Sequence, residues 1–349
     1  MYDRLTGTAD DIRKRSGREW VQALARYREP NDWRSAFELS VTLVPLVVLF
    51  GLACWALKVS PLLAFAIATV NAGFLLRAFA IQHDCGHSAF FHNRHTSDWV
   101  GRVLGVLTLT PYDVWRRSHS MHHSSSGNLD KRGIGDVLTL TVREYDALTP
   151  WGRFRYRLYR HPLVLFGLGP AYLFFLQNRL PIGFMSAGWR YWTSAMGTNA
   201  AIALIIGLMI WWGGIMPFLV VYLPTALIAA TLGVWLFYIQ HQFEETDWSK
   251  DEDWQLHNAA LDGSSHYDLP TPLRWITANI GIHHVHHLYS RIPFYRLTEV
   301  LRDHPDLAQA QRMTLWQSFG CTRLHLWDED SRKLTSFAGA RESRRKTAA

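Results

Sequence analysis

Three short histidine clusters are where this chain could do chemistry. His83 and His87 stand four apart in HDCGH; His119, His122 and His123 stand at i, i+3 and i+4 in HSMHH; His283, His286 and His287 repeat that spacing in HHVHH. On a helix such positions share a face, one turn apart. Imidazoles so placed can grip a metal ion, and imidazole suits zinc, copper, iron and nickel. These eight of the chain's 17 histidines are enough for two ions. His284 falls about 100° round a helix from His283, which reads as a position behind the ligands or facing a substrate. His241 stands alone in YIQHQF but follows the end of an apolar run, as His83 does, and is read as a ninth ligand. His92, His95, His161, His257, His266, His304 and His325 are read as ordinary polar residues. Bound imidazoles usually donate their second N–H to a carboxylate or carbonyl. Asp84, Asp130, Glu244, Glu245 and Asp262 are the candidates, with Asp84, Glu244, Asp262 and His284 favoured.

The elements that must position these rings are apolar. Leu39 to Leu57 runs 19 residues without a charge, long enough to cross a hydrocarbon core of about 30 Å. A turn at Lys58–Pro61 leads into a second stretch, 61–82, broken only by Arg77. Continued through His87, that helix would be about 40 Å long and would carry its histidines past the lipid. From Tyr191 to Phe243 there is no Asp, Glu, Lys or Arg in 53 residues. Gly213 and Gly214 divide this stretch into two spans, 193–212 and 216–239. Val100–Leu109 is too short to span and reads as interfacial or re-entrant, and Leu163–Leu176 as a half-buried or interfacial helix rather than a full span. Residues 1–38 form a cytoplasmic or interfacial segment with an amphipathic helix from Asp10 to Arg28, and 336–349 a disordered basic tail. Arg94, Arg102, Arg116, Arg117, Arg153, Arg155, Arg157 and Arg160 lie between the second and third spans. The positive-inside rule puts that segment and both termini in the cytoplasm. All three clusters and His241 then share one side, which requires the four spans counted.

The net charge of +7 fits Lys and Arg on the cytoplasmic side of a membrane rather than nucleic-acid binding, for which no motif is found. Cys54, Cys85 and Cys321 cannot build a disulfide framework, and no cleaved signal peptide is expected at the N-terminus. There is no Ser-His-Asp arrangement, phosphate-cradling loop or CxxC pair.

With HDCGH, the two HxxHH boxes and the segment from YIQHQFEETDW through DGSSHYDLP to NIGIHHVHHL on the page, the chain resembles the membrane fatty acid desaturases of the acyl-lipid type, over about Leu39 to Leu301. The resemblance implies an all-α integral membrane protein. Four transmembrane helices would sit under a cytoplasmic helical cap, in a domain over 39–335, with a histidine-ligated pair of Fe2+ ions. His83, His87, His119, His122, His123, His241, His283, His286 and His287 would be its ligands. It implies O2 as co-substrate, an acyl chain of a membrane lipid as substrate, and a cis double bond as product. No His-Pro-Gly-Gly haem motif appears, so electrons would come from a separate protein, ferredoxin. The membrane would be a bacterial inner membrane. A lipid or carotenoid hydroxylase or ketolase on the same scaffold is the nearest alternative. A metal transporter is a remote one, since its ligands belong near the membrane midplane.

Overall fold

The computed structural model describes residues 15–133 and 135–347. Among the described residues, four helices are long and apolar enough to cross a membrane: Asp32–Ala56, Pro61–Gly86, Trp189–Gly213 and Pro217–His241. The first two begin at side-chain caps. Asn31 caps the first through Arg34 N at 3.0 Å, and Ser60 caps the second ahead of a proline in its first turn, where a missing N–H costs nothing. Gly214, at φ +74°, turns the chain between the third and fourth spans in a conformation that favours glycine. The first two spans meet through Ala53, Ala56, Ala64 and Ala68, all fully buried. Small residues let helix backbones approach closely where lipid offers no hydrophobic drive. Val44, Val47, Val70 and Leu204 face outward, as a lipid-facing surface requires. The protein is a membrane protein of mostly helical architecture, as expected.

While Gly169–Phe175 packs beside the spans through Phe174 and Phe175, most of the remaining elements cap one end of these helices. They include Arg94–Leu107, Tyr112–Ser125, Leu256–Asp262 and His283–Leu288, with two small sheets. Leu140–Thr141 pairs in parallel with Leu326–Asp328, which pairs antiparallel with Lys333–Thr335. His266–Asp268 pairs in parallel with Arg312–Thr314. The largest apolar core runs through this cap, from Trp20 and Tyr27 to Ile81, Phe90, Val285 and Phe294.

Three boundaries differ from the sequence reading. The first span starts at Asp32 rather than Leu39 because Glu38 has a partner inside: the Arg77 guanidinium forms an ion pair with it while both side chains are almost wholly buried. Arg77 also donates to Thr42 Oγ1 at 3.1 Å and to the Trp275 carbonyl, and lies 4.1 Å from the Trp275 ring. The interruption in the second apolar stretch is thus a rivet between two spans and the cap. Within the described residues the N-terminal helix covers Gly17–Leu24 and tightens into a 3-10 turn over Ala25–Tyr27, short of the expected end at Arg28, and Trp20 and Leu24 are buried in the cap core, with the Trp20 ring against His304. Residues 10–14 of the expected helix lie outside the described residues. The tail expected to be disordered contains a helix, Phe337–Thr347. Its Ala340 is buried, and Phe337 stacks on His325 with ring centroids 4.3 Å apart.

Candidate metal centre

The second span ends at Gly86, so His83 lies in its last turn and His87 is its C-cap residue. His241 is the last residue of the fourth span. HSMHH closes the Tyr112–Ser125 helix, and HHVHH opens the short His283–Leu288 helix. The cap folds these two helices over the ends of the two spans.

The nine rings expected as ligands fall into two groups. His83, His87, His119, His123 and His286 form one; His122, His241, His283 and His287 form the other. Within each, the nitrogens on offer lie within 4.8 Å of one another. Helix geometry explains the division. Positions i and i+4 are about 40° apart, whereas i+3 lies on the other side of i by about 60°. His119 and His123 therefore serve the first group while His122 swings into the second. In the other box His283 and His287 serve the second group, and His286 crosses to the first. Each HxxHH turn contributes to both centres. The groups touch where His123 stacks on His287, centroids 4.1 Å apart.

The spacing of nitrogens fits metal coordination. His119 Nε2 lies 3.0 Å from both His87 Nε2 and His123 Nε2, and His123 Nε2 lies 3.1 Å from His286 Nε2. In the second group His241 Nε2 is 3.2 Å from His122 Nε2 and 3.1 Å from His283 Nε2. A metal about 2.1 Å from each nitrogen puts ligands at right angles about 3.0 Å apart, and five such donors exceed a tetrahedron. Burial first, then neighbouring charges, holds His87, His119, His123, His283, His286 and His287 well below the usual 6.5. Neutral imidazole is the form that binds metal.

The outward nitrogens of two rings meet carboxylates, one per group. His83 Nδ1 is 3.3 Å from Asp84 Oδ1, and Asp84 Oδ2 accepts from Phe294 N at 2.7 Å. His122 Nδ1 pairs with Asp136 Oδ1. His241 Nδ1 meets the Gly263 carbonyl at 3.1 Å. Asp84 therefore stands where the sequence reading put it, and Asp136 was missed: a lone aspartate in the loop GIGD carries no spacing signal. Other candidates are elsewhere. Glu244 is exposed and lines, with Asp262, an open cleft of about 700 Å³ on the cap; in this segment His241 meets the backbone of Gly263. Asp130 accepts from Asp251 N at 2.9 Å, and Glu245 pairs with Lys333 at 3.3 Å. His284 is fully buried outside both groups, its Nε2 2.8 Å from the Leu307 carbonyl; it fastens the third box to the cap. His92 pairs with Asp32 at 3.1 Å, and His95 is exposed.

Aromatic rings close the membrane side. Phe79, Trp115 and Phe237 each precede a histidine of the groups by one helical turn. Trp115 stacks on His119 at 4.7 Å, Phe79 meets Trp115 edge-on at 5.5 Å, and Phe237 lies 5.1 Å from His122. Gly86 leaves room for Trp115: a Cβ there would fall 2.8 Å from its ring.

Residues 60–319 match the family model described as fatty acid desaturase. A fatty acid desaturase of Bacillus subtilis is 41% identical over 320 residues, covering 92% of this chain and 90% of that protein. The sn-1 acyl-lipid omega-3 desaturase (ferredoxin) of Synechocystis is 28% identical, covering 69% of this chain and 68% of that one. The sn-1 oleoyl-lipid 12-desaturase of Anabaena variabilis is 26% identical, covering 72% and 71%. The matched region holds all three histidine boxes, His241 and three of the four spanning helices, and at this identity and coverage the chain belongs to the fatty acid desaturase family, enzymes that oxidise acyl chains.

Proposed function

We propose that this desaturase acts on an acyl chain carried by a membrane lipid and holds two iron ions with its nine clustered histidines. The observation that supports this reading is the convergence of those rings into two groups at the ends of membrane spans. A bound iron pair would supply the activation of O2 that unreactive methylene C–H bonds require. The balance is –CH2–CH2– + O2 + 2 e⁻ + 2 H⁺ → –CH=CH– + 2 H2O. Two electrons must enter from outside, and an acidic iron–sulfur protein such as ferredoxin is the donor proposed. The membrane is taken as a bacterial inner membrane, with both termini cytoplasmic.

The chain's own residues have three tasks. His122 and His83 present Nε2 inward because Nδ1 is engaged by Asp136 and Asp84, which fixes tautomer and ring orientation. Uncharged rings keep the centre cationic. Phe79, Trp115 and Phe237 offer an apolar wall for hydrocarbon and exclude water at the side facing the bilayer.

Expression in a host without unsaturated lipids, with fatty acid methyl ester profiling, should reveal a new double bond. His122→Ala should abolish it while the protein still inserts in the membrane, and purified wild-type protein should carry about two irons per chain. New hydroxyl or keto products instead, or full activity in His122→Ala, would overturn the reading.

A further inference from the structure

The two carboxylate–histidine pairs are not held alike. Asp84 uses one oxygen for His83 and the other for the Phe294 amide, so its plane is fixed by protein on both sides. Asp136 gives Oδ1 to His122, but its Oδ2, although buried, has no hydrogen-bond partner among the described residues. A buried carboxylate oxygen left unpaired is costly. Nearby is a second orphan. The Trp248 side chain is almost wholly buried, and its Nε1–H likewise has no partner among the described residues. An acceptor and a donor are each missing a contact.

Both residues line one small cavity, with Ser126, Phe237, His241 and Gly263. Its open volume is about 10 Å³, about the space one water occupies. A buried water needs two to four polar partners. This wall offers the Asp136 carboxylate oxygen as acceptor, the Trp248 indole as donor, and the Ser126 hydroxyl. The Ser126 hydroxyl is already within 3.4 Å of His241 Nδ1. An empty apolar void would have no such lining.

We propose that this cavity is a binding site for a single structural water, which accepts from Trp248 Nε1–H and donates to Asp136 Oδ2, and that Asp136 so held is the positioning residue for His122. The water does for Asp136 what the Phe294 amide does for Asp84. It fixes the carboxylate plane, so that Oδ1 meets the His122 N–H squarely and Nε2 keeps its aim into the four-histidine group. Trp248 thereby acts on the His122 ring through three hydrogen bonds in series, by way of the water and Asp136. The metal part of this inference rests on the function proposed above; the water site does not.

The test has two arms. An experimental structure of the full-length protein, at a resolution that shows ordered water, should place a density peak about 3 Å from both Asp136 Oδ2 and Trp248 Nε1; a dry cavity, or the two side chains turned to other partners, would overturn the proposal. In the second arm the purified metal-loaded protein is titrated with a chelator. Asp136→Asn should weaken metal retention by about 10- to 100-fold, since it keeps the shape but loses the charge. Trp248→Phe, which keeps an aromatic ring and removes the donor, should weaken retention by a smaller factor. Wild-type retention in Trp248→Phe would sink the positioning role. If Asp136→Asn fails to fold, Trp248→Phe carries the test alone. A chain that showed the water but bound no metal would break the functional reading and leave the water site standing.

Discussion

At the scale of single residues, direction matters more than proximity in sequence. Glu244 follows His241 by three positions, yet it is exposed on the cap, whereas Asp136 reaches His122 across a loop. Eight of the nine ring positions were legible because helical spacing is written in the chain, and His241 because it follows the end of an apolar run. The carboxylates were not, since a hydrogen bond between a loop and a helix leaves no period to read. The same distinction separates His92 and His95 from the other histidines near the first box. His92→Ala and His95→Ala, singly or together, should leave product yield and metal content unchanged, because one is tied to Asp32 and the other faces solvent. Gly86→Ala is a harsher change than its one added methyl implies. The new Cβ would press on Trp115, which stacks on His119. Turnover should fall by about 10- to 100-fold, as small displacements of reacting groups do, with membrane insertion intact. Activity assays on membranes with matched protein levels would check both.

At the scale of elements, one contact joins the first two spans to each other and to the cap, and a second fastens the C-terminal helix within the cap. Glu38→Gln would leave the Arg77 guanidinium buried without its counter-charge, a loss of about 3–5 kcal/mol for pairs of this kind. Thermal unfolding in detergent should shift down clearly, and a normal melting curve would show that the pair is dispensable. The second contact is the C-terminal helix, clamped by Phe337 on His325. Burial, chiefly, and Arg160 lower the His325 pKa to about 4. The unfolded or undocked ring, near 6.5, takes up its proton first as pH falls. Docking is therefore complete above about pH 6.5 and weakens from there down to about 4. Limited proteolysis of the tail should accelerate over that window. Composition made this segment look unstructured because it is basic and small-residue-rich; its two apolar anchors, Phe337 and Ala340, are too sparse to register as a pattern.

At the scale of the whole molecule, the spans were readable because uncharged runs of this length have few other uses in a protein. The cap was not, since its short helices and two-to-three-residue strands are fixed by contacts among distant segments. The topology makes a direct demand. Reporter fusions at the N- and C-termini should report the cytoplasmic side, and insertions at Lys58 and Gly214 the opposite one. A terminus found outside would separate the histidine groups from the compartment assumed to supply electrons.

The exchange of histidines between HSMHH and HHVHH has a further consequence. Because each turn serves both centres, stripping one ion would slacken the very helices that grip the other. Loading should then be all-or-none. With iron added below stoichiometry, native mass spectrometry should find vacant chains beside doubly filled ones and few with a single atom, so that what passes for half-active enzyme is a mixture of whole and empty molecules.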